Sequence, residues 1–244
     1  MNVTARYQFT IVVPVFNERE NLERLEQRLS AYLARSAAKP ACVLFVDDGS
    51  TDGGGEMLAG ICQRHPDFFY LRFARNGGLS AALKAGIDAC ESPLVGYIDA
   101  DLQTDPDDFD LLLADAASYQ LVTGIRTDRH DGLVKRLSSE IANGWRRMMT
   151  HDGVADTGCP LKVLQTATAK KLPLFTGMHR FIPALVQMTG GTVRQVPVRH
   201  YPRIAGKAKY HLFNRLWGPF NDCFAFRWMK KRYIDYTVAE SNLD

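Results

Sequence analysis

Three polar segments concentrate carboxylates and amides immediately after apolar runs: Asn17-Glu18, Asp47-Asp48 and Asp99-Ala100-Asp101-Leu102-Gln103. In an open parallel sheet, ligands bind beyond the carboxyl ends of the strands, where these segments would fall. Taken singly, each also reads as capping and turn chemistry, the role open to Asp52 and Asp105. Three at one edge are electrostatically costly unless a cation or a hydrogen-bonded ligand offsets the repulsion. The oxygen donors of Asp99, Asp101 and Gln103 suit a hard divalent ion, Mg2+ or Mn2+, with positions left for phosphate oxygens and water. A diphosphate bridged by that ion is the ligand implied.

Other chemistries are poorly served. The lysine loop of P-loop nucleotidases is absent, and Gly53-Gly54-Gly55 lacks the Gly-x-Gly-x-x-Gly spacing of dinucleotide dehydrogenases. A nucleotidyltransferase would carry a glycine-rich, arginine-bearing loop where Pro14-Val15-Phe16-Asn17-Glu18 stands. His65, His130, His151, His179, His200 and His211 show no metal-ligand pairing and read as surface or packing residues. Ser50 and Cys159 have no neighbouring motif that would make them nucleophiles, and Trp145, Met148 and Met149 read as packing residues.

These loops must be held by alternating strands and helices. Apolar runs at Phe9 to Val15, Cys42 to Val46, Phe69 to Phe73, Leu94 to Ile98 and Leu121 to Thr123 predict strands. Leu22, Leu25, Leu29 and Leu33 at helical spacing predict the first helix, followed by helices at Glu56 to Arg64, Leu79 to Cys90 and after Pro106. The pattern is that of an α/β protein with a mostly parallel, Rossmann-like sheet flanked by helices. Beyond about residue 125 the alternation fades into a helix near Val134 to Met149 and a strand near Thr192 to Arg199.

The 244 residues carry a formal charge of only +3, which argues against a globally basic nucleic-acid binder. That total hides an asymmetry. Residues 194–233 hold ten basic side chains and one acid, whereas the remainder holds twenty basic and twenty-six acidic. Leu212, Phe213, Leu216, Trp217, Phe220, Phe224, Phe226, Trp228 and Met229 alternate there with Arg215, Arg227, Lys230, Lys231 and Arg232. Aromatic and basic residues together suit the headgroup boundary of an anionic membrane, or a separate membrane protein. An ordinary core helix under the sheet is the other reading. No apolar run approaches the roughly 18 to 20 residues that span a bilayer, and no export signal is evident. The five cysteines form no Cys-x-x-Cys pair and read as free thiols. A cytoplasmic protein, peripheral on the inner face of a membrane, is expected.

The segments Val13-Pro14-Val15-Phe16-Asn17-Glu18, Asp47-Asp48-Gly49-Ser50-Thr51-Asp52, Arg75-Asn76-Gly77-Gly78 and Asp99-Ala100-Asp101-Leu102-Gln103-Thr104-Asp105-Pro106 resemble, in order, the motif set of family 2 glycosyltransferases. The narrower resemblance is to the dolichyl- or polyprenyl-phosphate sugar synthases. It is carried by Gly124-Ile125-Arg126, Lys135-Arg136-Leu137-Ser138-Ser139 with Asn143, Asp156-Thr157-Gly158-Cys159, and His200-Tyr201-Pro202-Arg203 with Lys207-Ala208-Lys209-Tyr210. The resemblance implies a GT-A fold over residues 1–210, with a nucleotide-binding half at about 9–124 and an acceptor half at about 125–210, and a docking tail at 211–244. It implies nucleotide contacts at Pro14, Asn17, Glu18, Asp47, Asp48 and Asn76. Asp99, Asp101 and Gln103 would be the metal set. Arg126, Lys135, Arg136 and Ser139 would cradle an acceptor phosphate, with Arg203, Lys207 and Lys209 closing over phosphates. Gly78-Leu79 and Cys159-Pro160-Leu161-Lys162 depart from the common family pattern.

The implied reaction moves a hexose-type sugar from a UDP- or GDP-linked donor to a polyprenyl or dolichyl phosphate, with Asp99, Asp101, Arg126 and Arg203 at the reacting groups. Alternatives are a silent nucleotide-sugar or RNA-binding module, or a transferase acting on a sugar hydroxyl.

Overall fold

The computed structural model describes residues 3–127, 144–202, 212–234, 236 and 238–240. Lys135, Arg136, Ser139, Asn143, Arg203, Lys207 and Lys209 lie outside the described residues.

A run apolar but for Thr10 builds β1 (Phe9–Val15), in which every residue but Pro14 is buried, as in strands covered on both faces. The first half continues with α1 (Arg19–Arg35), β2 (Ala41–Asp47), α2 (Gly54–Arg64), β3 (Phe68–Arg72), α3 (Leu79–Ala89) and β4 (Leu94–Tyr97). A 3-10 turn at Pro106–Asp108 leads into α4 (Phe109–Leu113) and β5 (Leu121–Arg126). The helix expected near Val134 to Met149 is described over residues 144–150 (α5). Next come β6 (Lys162–Gln165), α6 (Thr166–Lys171), a 3-10 turn at Met178–Phe181, α7 (Ile182–Met188), β7 (Val193–Val198) and α8 (Leu212–Arg232).

The seven strands form one sheet in the order β3-β2-β1-β4-β6-β5-β7. It is parallel except for β6, which runs antiparallel between β4 and β5. No strand is expected from the sequence at β6: four residues beginning with a lysine show no usable period. The chain winds from β1 outward through β2 and β3, then returns with β4 on the other side of β1. That reversal opens a crevice at the carboxyl ends of β1 and β4, where such sheets bind ligands.

Alternation along β1 divides the core. Phe9, Ile11, Val13 and Val15 pack with Leu22, Leu25 and Leu29 of α1, Leu58 of α2 and Phe109 of α4. Val12 points to the opposite layer, with Ala82 and Leu83 of α3, Tyr97, Leu185 of α7, and Cys223 and Phe226 of α8. The C-terminal helix therefore contributes to the core through one face, with Phe226 stacked on Phe181 at 6.0 Å. Its other face presents Phe224, 50% exposed, and Trp228, 62% exposed. Met149 packs as expected, whereas Met148 does not: it is 55% exposed. Adjacent residues on a helix point about 100° apart, and here Met149 and Thr150 turn inward while Met148 faces out.

Candidate active site

The acidic loops meet at one sheet edge and are tied to one another. Asn17, at φ 50°, accepts a hydrogen bond from Thr51 N at its Oδ1 (2.8 Å), and its own N–H donates to Ser50 Oγ (2.9 Å). The Glu18 carboxylate accepts from Asn21 Nδ2 at 2.6 Å. Asp47 is buried and accepts from Ser50 N (3.0 Å) and Arg72 Nε (2.9 Å). Asp48, also buried, accepts from Gly77 N (2.6 Å), Gly78 N (2.9 Å) and Asn76 Nδ2 (2.9 Å). The Asp47 and Asp48 carboxylates therefore shape the crevice by anchoring its loops. Gly49 makes this closeness possible: at φ +71° a Cβ would lie 2.7 Å from the Arg75 carbonyl carbon.

Pro14 sits where the sheet opens. Val12 O accepts from Ile98 N and Val15 O from Asp48 N, so alternation turns the backbone of Pro14 toward β4, beyond its last paired residue. The missing N–H costs no ladder bond there.

Asp99 and Asp101 follow β4 directly. Asp99 is half-buried and accepts the Tyr97 hydroxyl proton at 2.6 Å. Burial, reinforced by the charge of Asp101, pushes its pKa up to about 6. Asp101 is buried and accepts from Gln103 N at 3.1 Å, a turn that places Leu102 at φ 53°. Gln103 is bonded to Tyr201 through its backbone, its O accepting from Tyr201 N at 2.9 Å. Asp99 and Asp101 bring two carboxylates onto one tight turn, oxygen donors of the kind a hard divalent ion takes, although no cluster of three or more such ligands forms among the described residues.

Arg126 ends β5 at the same edge. It grips Asp156 through two side-chain bonds, Nε to Oδ2 (2.8 Å) and a terminal nitrogen to Oδ1 (2.9 Å). Burial works against both charges, yet the pairing holds Asp156 below the usual carboxylate range and raises Arg126. Among the described residues no other partner takes up the remaining three of its five guanidinium N–H groups.

Four neighbours were assigned no site role from the sequence. Tyr97 and Lys162 face each other across the β4 and β6 pair. Ser80, in the first turn of α3, shares a 2.8 Å hydrogen bond with His179 Nδ1 and accepts from Gly177 N at 3.1 Å. Burial, then the charges of Arg180 and Lys162, push His179 down to about 3. The ring is therefore neutral near pH 7, and its tautomer sets whether Nδ1 or the serine hydroxyl donates in this bond. A lysine inside the apolar run Leu161-Lys162-Val163-Leu164 was the available signal.

The sequence model of Glycosyl transferase family 2 matches residues 10–166. The chain belongs to that family. It is 32% identical over 205 residues to an undecaprenyl-phosphate 4-deoxy-4-formamido-L-arabinose transferase of Edwardsiella ictaluri, covering 83% of this chain and 63% of the relative. It is also 32% identical over 217 residues to a dodecaprenyl-phosphate galacturonate synthase of Rhizobium johnstonii, covering 83% of this chain and 62% of that protein. The chain thus spans less than two thirds of the length of these relatives. Among solved structures, glucosyl-3-phosphoglycerate synthase of Mycobacterium tuberculosis, crystallised with Mn2+, UDP and glucosyl-3-phosphoglycerate, superposes with a TM-score of 0.68 at 15% identity over 95% of this chain and 82% of that one. A mannosyltransferase from Pyrobaculum calidifontis with GDP-Man and Mn2+ gives 0.65 at 18% identity, covering 96% and 66%. The shared architecture is the GT-A fold that the family 2 motifs imply.

Proposed function

We propose that this chain is an inverting glycosyltransferase that moves a hexose-type sugar from a UDP- or GDP-linked donor onto a polyprenyl or dolichyl phosphate. One observation carries this reading. The Arg126 guanidinium, held by Asp156, shares a sheet edge with Asp99 in a chain whose relatives are named as undecaprenyl-phosphate and dodecaprenyl-phosphate enzymes. A phosphate monoester is anionic at neutral pH, so the nucleophile needs orientation and charge balance more than a base. Arg126 supplies both through its remaining N–H groups. Lys135, Arg136 and Ser139, with Arg203, Lys207 and Lys209, complete the phosphate contacts in this reading.

On the donor side, Pro14, Asn17, Glu18, Asp47, Asp48 and Asn76 frame the nucleoside. Asp99 and Asp101, with Gln103, would hold Mg2+ or Mn2+, which when bound acts as a Lewis acid on the departing diphosphate. The Mn2+ named in the structures of similar fold supports a divalent ion. Transfer to a sugar hydroxyl is less well served, because Asp156, the carboxylate beside Arg126, is held ionised in its pair and is a poor base.

Among the described residues no helix is long and apolar enough to cross a membrane. The exposed Phe224 and Trp228, flanked by Arg227, Lys230, Lys231 and Arg232, support docking of the 211–244 segment on the inner face of a membrane or on a membrane protein. Nucleic acid is not a partner in this reading.

The test is a donor-panel assay in which purified protein is given UDP- and GDP-sugars with undecaprenyl or dolichyl phosphate. Nucleoside diphosphate release that depends on the lipid phosphate is expected. Release that is indifferent to it would overturn the assignment.

A further inference from the structure

Lys162 is the most buried cation among the described residues, 1% exposed at the start of β6. Other largely buried cations among the described residues follow the usual rule for buried charge. Arg146 is paired with Asp152, and Arg126 with Asp156. Lys162 has no carboxylate within ion-pairing distance among the described residues. Its ammonium donates to the carbonyl oxygens of Thr157, at 3.4 Å, and of Cys159. Burial lowers its pKa from the usual lysine value. An ammonium desolvated without a counter-ion is costly, and an apolar residue of similar volume would serve packing at least as well.

The surroundings of the ammonium suggest what it does. Both carbonyls belong to residues 157–159, which follow directly from Asp156, the carboxylate that orients Arg126. On the other side the ammonium stands 5.9 Å from the centroid of the Tyr97 ring, and the Tyr97 hydroxyl bonds Asp99 at 2.6 Å. Asp156, Arg126 and Asp99 all act on it electrostatically. A continuous chain of contacts therefore runs from Arg126 through Asp156, the 157–159 loop, Lys162 and Tyr97 to Asp99.

We propose that Lys162 is a positioning residue that holds the 156–159 loop so that Arg126 faces the acceptor phosphate. This rests on the acceptor reading above and adds a residue to it. Lys162 touches neither substrate; it acts through Asp156 and Arg126.

The test compares full-length wild type with Lys162→Met and Lys162→Arg. Removing the charge offsets the loss of the carbonyl contacts, so the unfolding midpoint of Lys162→Met stays within about 5 °C of wild type. Labelling of Arg126 by phenylglyoxal, followed by peptide mass mapping, is expected to quicken at least threefold in Lys162→Met, with Asp156→Asn as the reference for a released guanidinium. With undecaprenyl phosphate as the varied substrate, kcat/KM falls at least tenfold while donor KM stays within twofold. Lys162→Arg restores both. Unchanged labelling of Arg126, or a loss that falls equally on donor KM, overturns the proposal. Lys162→Gln, neutral and shorter in reach, is expected to behave like the Met variant and replaces it should that one fail to fold. If wild type does not use the lipid phosphate, the functional reading fails, and the labelling comparison still decides the role of Lys162.

Discussion

Arg126 and Asp156 meet in parallel, Nε to Oδ2 at 2.8 Å and a terminal nitrogen to Oδ1 at 2.9 Å, with the Arg126 backbone N–H directed at the same Oδ2 at 3.3 Å. Three bonds to one carboxylate join the end of β5 to the loop before β6. Replacing Asp156 with Ala leaves a largely buried guanidinium without its counter-charge, which costs about 3 kcal/mol. For a domain of this size that is roughly 6 to 12 °C in unfolding midpoint, measurable by calorimetry near pH 7. The pair's contribution is complete there, because a carboxylate with a depressed pKa loses its stabilisation only as pH falls through that value.

Asp99 titrates on the other side of its ordinary value. Its pKa of about 6 exceeds that of the unfolded chain, so the folded state binds its proton more tightly and the associated stability is lost as pH rises from about 4 through about 6. In the proposed metal set a cation competes with this proton, so Mn2+ affinity, measured by titrating the metal-free protein, is expected to decline as pH drops below about 6. The Tyr97 hydroxyl lowers the Asp99 pKa. Tyr97→Phe therefore moves the acid limb of the kcat/KM profile to higher pH. A limb that stays in place would show that the hydroxyl bond does not tune this carboxylate.

His179 behaves oppositely in its effect on stability. Its pKa of about 3 lies below that of an unfolded histidine, so its contribution is present above about pH 6.5 and shrinks as pH falls. Thermal unfolding at pH 7.5 and pH 5 is expected to show a larger acid loss in wild type than in His179→Gln. Equal losses would mean that the ring is protonated in the fold or that its burial is immaterial.

The exposed face of α8 yields a separate prediction. Vesicles containing phosphatidylglycerol should float with the full-length protein, and the double substitution Phe224→Ser, Trp228→Ser should reduce bound protein at least fivefold. Raising the salt should weaken binding through Arg227, Lys230, Lys231 and Arg232. Flotation that is unaffected by the double substitution would leave α8 as a core helix alone.

Local physics made much of this protein legible in its sequence. The run Phe9 to Val15 is β1 residue for residue, because a strand covered on both faces is nearly all apolar, Thr10 alone being polar and bonded to Ser92. The acidic loops had to gather at one edge once the strands were parallel, since successive βα units deliver every strand end to the same side. Other features depended on contacts distant in sequence. β6 is four residues long and antiparallel, and it exists because β4 and β5 each offer it a free edge, which no local period announces. Its placement brings Lys162 opposite Tyr97, 65 positions earlier. Ser80 and His179 likewise meet across 99 positions. Asp48 shows the subtler limit: its type and position after β2 suit a nucleoside contact, and only the fold reveals that its carboxylate also accepts from the amides of Gly77 and Gly78 and the side chain of Asn76. Composition can assign a carboxylate to an edge, but only packing decides whether its lone pairs face a ligand or the protein's own backbone.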